Sequence, residues 1–131
     1  MMKPGINTPY YIVYEDRLRA NLKKLKSVSE RAGVKIIMAF KANALWKTFP
    51  VISEYFQAST ASSLNEMRLS LDYLGHDVHA YCPVYTDATF PEFLAGCSHI
   101  TFNSLAQYEK FRPLIEASDR HVSIGLRVNP H

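Results

Sequence analysis

Five short apolar runs recur along the chain at almost even spacing, and that rhythm restricts its folding more than any single motif. "KIIMAFKA", "FQASTAS", "DVHAYCPV", "HITFNS" and "VSIGLRVNP" begin near residues 35, 56, 77, 99 and 122. Short runs rich in β-branched and aromatic residues read as strands, and a helical pattern fills each interval between them. Leu64, Met67, Leu71 and Leu74 share one helix face, and Leu105, Tyr108, Phe111 and Ile115 share another. Ser63 with Glu66, and Ser104 with Gln107, fit capping boxes, in which the hydroxyl and the acid or amide reciprocally satisfy free amides of the first turn. Pro50 and Pro91 stand where first-turn prolines are tolerated. Strands that alternate with helices pair in parallel, and the helices cover them.

An earlier helix is predicted after "YYIVY", with Leu18, Leu22, Leu25 and Val28 as its apolar stripe, Asp16 as N-cap and Gly33 as stop. No GxGxxG follows the first strand of the rhythm and no GxxxxGK[ST] occurs anywhere, so an open doubly wound sheet would lack its phosphate-binding signature. A (β/α)₈ TIM barrel is favoured. Because a complete barrel takes roughly 250 residues, the chain is expected to be the N-terminal part of one, with about five of the eight strands.

Composition narrows the function classes. The chain has 47% hydrophobic and 21% charged residues, a globular balance. Residues 1–50 carry ten Lys or Arg against three acids and the remainder five against nine. The basic excess lies in "EDRLRANLKKLKSVSERAG", between apolar positions, and reads as a solvated helix face with no aromatic interleaving for nucleic acid. Cys82 and Cys97 form neither a CxxC nor a metal-ligand spacing, which suits a reduced, cytoplasmic protein. No signal peptide and no membrane span is expected. His76 and His79 would point to opposite faces at a strand entry, and His99 and His121 start strands, so no metal site is expected.

Chemistry is expected at the C-terminal ends of the strands, where barrel enzymes carry it. Lys41 closes the first strand of the rhythm. A strand-end lysine commonly lays its methylenes on apolar surface and extends its ammonium into water. Beside Met38, Ala39, Phe40, Ala42 and Trp46, however, the amine would be partly desolvated, which favours the neutral nucleophile that Schiff-base chemistry requires. Arg127, at the end of the fifth strand, points into the same rim, where its plainest role is half of a strand-terminal salt bridge. Thr60 and Ser62 end the second strand, and Asn103 and Ser104 the fourth.

"MAFKANALW", preceded by "TPYYIVYEDRLRANL", resembles the opening of the fold-type III pyridoxal-phosphate enzymes, the alanine racemase and ornithine decarboxylase superfamily. Within it, "KANALWKTFP", "TASSLNEMRL", "HAYCPVY", "HITFNSLAQYEKF" and "IGLRVNP" resemble the carboxynorspermidine (carboxyspermidine) decarboxylase family. The resemblance implies that Lys41 holds pyridoxal 5'-phosphate covalently and that Arg127, Thr60 and Ser62 bind the cofactor. It implies a carboxylated polyamine substrate, decarboxylated to norspermidine or spermidine in polyamine biosynthesis, and a homodimer. It also implies two regions: residues 1–14, an N-terminal strand joining a C-terminal β-domain beyond the chain, and residues 15–131, a partial barrel. A ring-stacking histidine, a glycine-rich phosphate loop and a carboxylate for the pyridine nitrogen are expected beyond the chain, which alone would be inactive. Another enzyme of fold type III, such as a diaminopimelate decarboxylase, and a non-catalytic pyridoxal-phosphate-binding barrel are the alternatives.

Overall fold

The computed structural model describes residues 7 and 9–130. Its elements are α1 (Glu15–Ala32), β1 (Met38–Ala39), a 3₁₀ turn (Trp46–Thr48) running into α2 (Phe49–Ser53), β2 (Ala58–Ala61), α3 (Leu64–Tyr73), β3 (Asp77–Ala80), α4 (Phe90–Gly96), β4 (His99–Phe102), α5 (Leu105–Glu116) and β5 (Ser123–Leu126). The five strands form one sheet in the order β1-β2-β3-β4-β5, and every neighbouring pair is parallel. A doubly wound sheet reverses its order at a switch point, whereas here each crossover advances by one strand in the same direction. With crossovers of one hand, the helices gather on one face, as in a section of a βα barrel.

Burial alternates along the strands accordingly. Val78 and Ala80 of β3, and Ile100 and Phe102 of β4, are buried with the helices, while Asp77, His79, His99 and Thr101 turn to the other face and stay half-buried. Beneath the sheet Phe90 stacks on Phe111 at 4.2 Å, and the Tyr85 ring meets Phe90, Phe93 and Phe102 edge-on at 5.2–5.6 Å. Such pairs contribute about 0.5–1.5 kcal/mol each beyond area burial. A second cluster joins Leu22, Phe40, Phe49, Ile52 and Leu74. One polar thread crosses this interior: Ser59 Oγ donates to Ser70 Oγ at 2.7 Å, and Ser70 Oγ donates to the Gly75 carbonyl at 3.0 Å.

Four local expectations are corrected. Asp16 is not the N-cap; α1 begins at Glu15 after Tyr14, with no side-chain cap, and Glu15 and Asp16 instead lie in the first turn, where carboxylates complement the helix dipole. Gly33 does end the helix, at φ 63°, a left-handed conformation that costs glycine little. Leu25 and Val28 are 45% and 46% exposed, so only the first half of the predicted stripe is covered. β1 is two residues long because it is an edge strand with a single neighbour, and Ile36 and Ile37 lie outside the ladder. Each capping box is displaced: Ser63 and Ser104 accept from Glu66 N and Gln107 N, but the return bonds are donated by Ser62 N and Asn103 N, one residue before the cap.

Of the N-terminal segment, residues 1–6 and 8 lie outside the described residues. Residues 10–14 pair with no strand among the described residues and leave Tyr11, Ile12 and Val13 exposed. No helix among the described residues is long and apolar enough to cross a membrane.

Candidate active site

Strand register sets the site in rows. Ala39, Thr60, His79, His99 and Ser123 lie side by side across the sheet. Two residues further on, towards the C-terminal ends, β3, β4 and β5 offer Tyr81, Thr101 and Gly125 on the same face, and Ser62 continues that row on β2. Ladder bonds reach past the strand ends, from Tyr81 N to the Ala61 carbonyl and from Arg127 N to the Phe102 carbonyl, both 2.9 Å. Thr60, Ser62 and Arg127 therefore share the face of the sheet opposite the helices.

Lys41 departs from expectation. It stands in a turn two residues beyond β1, where Ala42 N and Asn43 N both donate to the Ala39 carbonyl at 3.0 and 3.3 Å. Its side chain is exposed, and its amine has no hydrogen-bond or ion-pair partner among the described residues. The described residues do not bury the amine as anticipated, because Phe40 turns into the core and Trp46 packs against Tyr73 at 5.3 Å. Lys41 and Arg127 follow opposite edge strands, four strand spacings apart: about 19 Å along a flat sheet, and less across the hollow of one that curves as a barrel section does. No hydrogen bond or ion pair links the two among the described residues.

Sequence reasoning missed the partner of Arg127. Its Nη1 donates to the Tyr81 hydroxyl at 2.5 Å, and its guanidinium lies 5.7 Å from the Tyr81 ring centre. No carboxylate pairs with Arg127 among the described residues, so the strand-terminal salt bridge is replaced by a neutral phenol and the charge stays uncompensated. Asn103, also on this rim, donates through Nδ2 to the carbonyls of Cys82 at 2.7 Å and Pro83 at 2.9 Å, tying the loop after β3 to β4.

Below the rim, Asp77, His79 and His99 hold donor atoms within 4.8 Å of one another. Asp77 Oδ1 lies 3.2 Å from His79 Nε2 and accepts from Ser98 Oγ at 2.6 Å, while Lys35 Nζ donates to Asp77 Oδ2 at 2.8 Å. Burial pushes the Asp77 carboxyl up, but Lys35 and Ser98 outweigh it and hold it at about 2. Burial, then the neighbouring His99, pulls the His79 imidazole down. His79 Nε2 is buried without a well-aligned hydrogen bond, so its approach to Asp77 is electrostatic. Neighbouring strands brought these histidines together; the spacing of His76 and His79 carried no signal of it. The two rings stack 3.8 Å apart at 16°, so their lone pairs lie in two nearly parallel planes that do not meet at one ion.

The fold and rim describe consecutive parallel βα units with a lysine, an arginine and hydroxyls at their C-terminal ends, the arrangement of a barrel enzyme's active-site wall. Known proteins narrow this class. The chain is 35% identical over 125 residues to a carboxynorspermidine/carboxyspermidine decarboxylase of Herminiimonas arsenicoxydans, covering 95% of this chain and 33% of that protein. It is 36% identical over 129 residues to the protein of the same name from Campylobacter jejuni, covering 98% and 33%. A carboxyaminopropylagmatine decarboxylase of Synechocystis sp. is 34% identical over 126 residues, covering 96% and 32%. The solved structure of carboxynorspermidine decarboxylase complexed with norspermidine, from Campylobacter jejuni, superposes with a TM-score of 0.84 at 34% identity, covering 91% of this chain and 31% of that one. No family model matches the chain. The chain is thus similar to the carboxynorspermidine/carboxyspermidine decarboxylases and spans about a third of the length of the curated relatives it matches.

Proposed function

We propose that the chain supplies the lysine-bearing wall of a pyridoxal 5'-phosphate-dependent decarboxylase acting on carboxynorspermidine or carboxyspermidine. The observation that carries this reading is Lys41: an exposed primary amine just past β1, unpaired among the described residues, in a chain about 35% identical to decarboxylases of that name along nearly all its length. The donor set fits the cofactor. A primary amine suits its aldehyde, an uncompensated guanidinium suits its anionic oxygens, and the hydroxyls of Thr60 and Ser62 suit ring substituents. Bound there, the cofactor supplies the electron sink for loss of carbon dioxide.

The chain's own residues do the holding. Lys41 anchors the cofactor, Arg127 presents a fixed positive charge at the opposite edge of the rim, and Thr60 and Ser62 offer short hydroxyls between them. Exclusion of water and delivery of the replacing proton fall to residues outside this wall. The exposed apolar residues Tyr11, Ile12 and Val13 are read as a strand for a second domain, and the complete protein as a cytoplasmic homodimer with a polyamine substrate. The identity to the Synechocystis protein supports a second reading, the same reaction on carboxyaminopropylagmatine.

Borohydride reduction of the full-length protein followed by peptide mapping is expected to find the cofactor on Lys41, and Lys41→Ala to lose both label and visible absorption. Carbon dioxide release from the three carboxylated amines then ranks the substrates. A label on another lysine, or release from none of them, overturns the proposal.

A further inference from the structure

We infer that Tyr81 is a positioning residue: it reaches across β4 to fix the guanidinium of Arg127 over the rim, making the two side chains one anion-recognition unit. The inference rests on the proposed cofactor role of Arg127.

Tyr81 follows β3 and Arg127 follows β5, so roughly 10 Å of sheet and one whole strand separate their backbones. Their hydrogen bond requires a clear lane over β4. Ala80 pairs with Ile100, which puts Thr101 beside Tyr81, and Thr101 pairs with Gly125 on β5. The lane therefore holds one small side chain and one missing side chain. A Cβ on Gly125 would come 3.2 Å from Thr101 Oγ1, tighter than ordinary contact, so a side chain there would press on Thr101, the residue the bridge passes over. The Tyr81 backbone is itself held, through its bond to the Ala61 carbonyl and through the Asn103 clamp on the next two residues.

This bridge leaves Arg127 in an unusual state for an exposed arginine. Unpaired, its long side chain would sample many rotamers; held by one Nη1 hydrogen on a neutral oxygen, it is ordered and keeps its full charge. A carboxylate in place of the phenol would order it equally well but neutralise it. Among the described residues its other guanidinium N–H groups meet no acceptor. Arg127 thus offers a fixed fork to an anionic or carbonyl-like oxygen of a bound cofactor or substrate.

Tyr81→Phe removes the hydroxyl and keeps the ring. In the full-length protein it is expected to lower kcat or cofactor affinity by about tenfold, the scale of one hydrogen bond to a charged group, with the substrate KM changing less. Arg127→Ala is expected to cost more, and adding Tyr81→Phe to it to cost nothing further, because a positioning residue acts only through its partner. Gly125→Val, which fills the lane from the other side, is expected to mimic Tyr81→Phe. Crystal structures of the cofactor-free wild type and Tyr81→Phe read the bridge independently of activity, with Arg127 expected to leave its place in the variant. Additive losses, or an Arg127 unmoved in Tyr81→Phe, overturn the inference. A wild type that neither binds cofactor nor decarboxylates overturns the proposed function instead, and Arg127's position in the two structures still decides the bridge.

Discussion

His79 and His99 are register partners on β3 and β4, and their rings stack 3.8 Å apart above the carboxylate of Asp77. A charge on His79 is disfavoured there, by burial first and by the neighbouring ring second. The His79 imidazole is held below its ordinary value in the folded chain, mainly by burial, so its contribution to stability is complete above about pH 6.5 and declines as the pH falls. Asp77 is lowered as well, to about 2, so its contribution is complete above about pH 4 and is lost as the pH falls towards 2. Both slopes have the same sign. Chemical denaturation across pH 3–8 should show stability falling steadily on the acid side, and His79→Gln should flatten the part of the fall that begins below about pH 6.5. An unchanged slope in that variant would remove His79 from the cause.

Ser70 stands at the middle of the buried hydroxyl thread from Ser59 to Gly75. Ser70→Ala strands the Ser59 hydroxyl and the Gly75 carbonyl without their partner, at a cost of about 1–3 kcal/mol. Ser59→Ala/Ser70→Ala should recover part of that loss, since it removes both hydroxyls. Urea melts of the two variants measure the difference.

The two thiols should separate by reactivity. Cys97 is fully buried, and burial pushes its thiol up to about 12, whereas Cys82 is partly accessible and donates to the Val84 carbonyl at 3.2 Å. A chromogenic disulfide reagent is expected to titrate one thiol in the folded protein and two in denaturant. Rapid reaction of both without denaturant would contradict the packing around Phe93 and Cys97.

Residues 1–131 expressed alone should associate. Among the described residues β1 and β5 each leave one edge unpaired, and beside β1 an apolar groove of about 220 Å³ is lined by Leu18, Leu22, Leu25, Ile37 and Met38. Light scattering is expected to find concentration-dependent oligomers without decarboxylase activity, and Leu25→Lys with Val28→Lys to reduce them. A stable monomer with robust turnover would overturn this expectation.

Much of the architecture was legible because its causes are local. Leu64, Met67 and Leu71 recur at helical intervals, Ser63 and Ser104 cap the helices they precede, and the runs containing Thr60, His79 and His99 became strands. Where the cause is not local, the reading failed. The shortness of β1 depends on its having one neighbour, and the exposure of Lys41 on what surrounds the rim. Tyr81 meets Arg127 46 residues away only because two crossovers place β3 and β5 on either side of β4. The pairing of His79 with His99 depends on register, which no window around either residue contains.

The unbroken strand order has a kinetic meaning as well. Among the described residues each strand hydrogen-bonds only to those immediately before and after it in the chain, so none of these four pairings waits for a distant segment. Loop closure is then repeated over short spans, and contact order is low for a parallel sheet. A polypeptide emerging from the ribosome can add β2 to β1, β3 to β2 and onward in the order of synthesis, so that assembly keeps pace with translation.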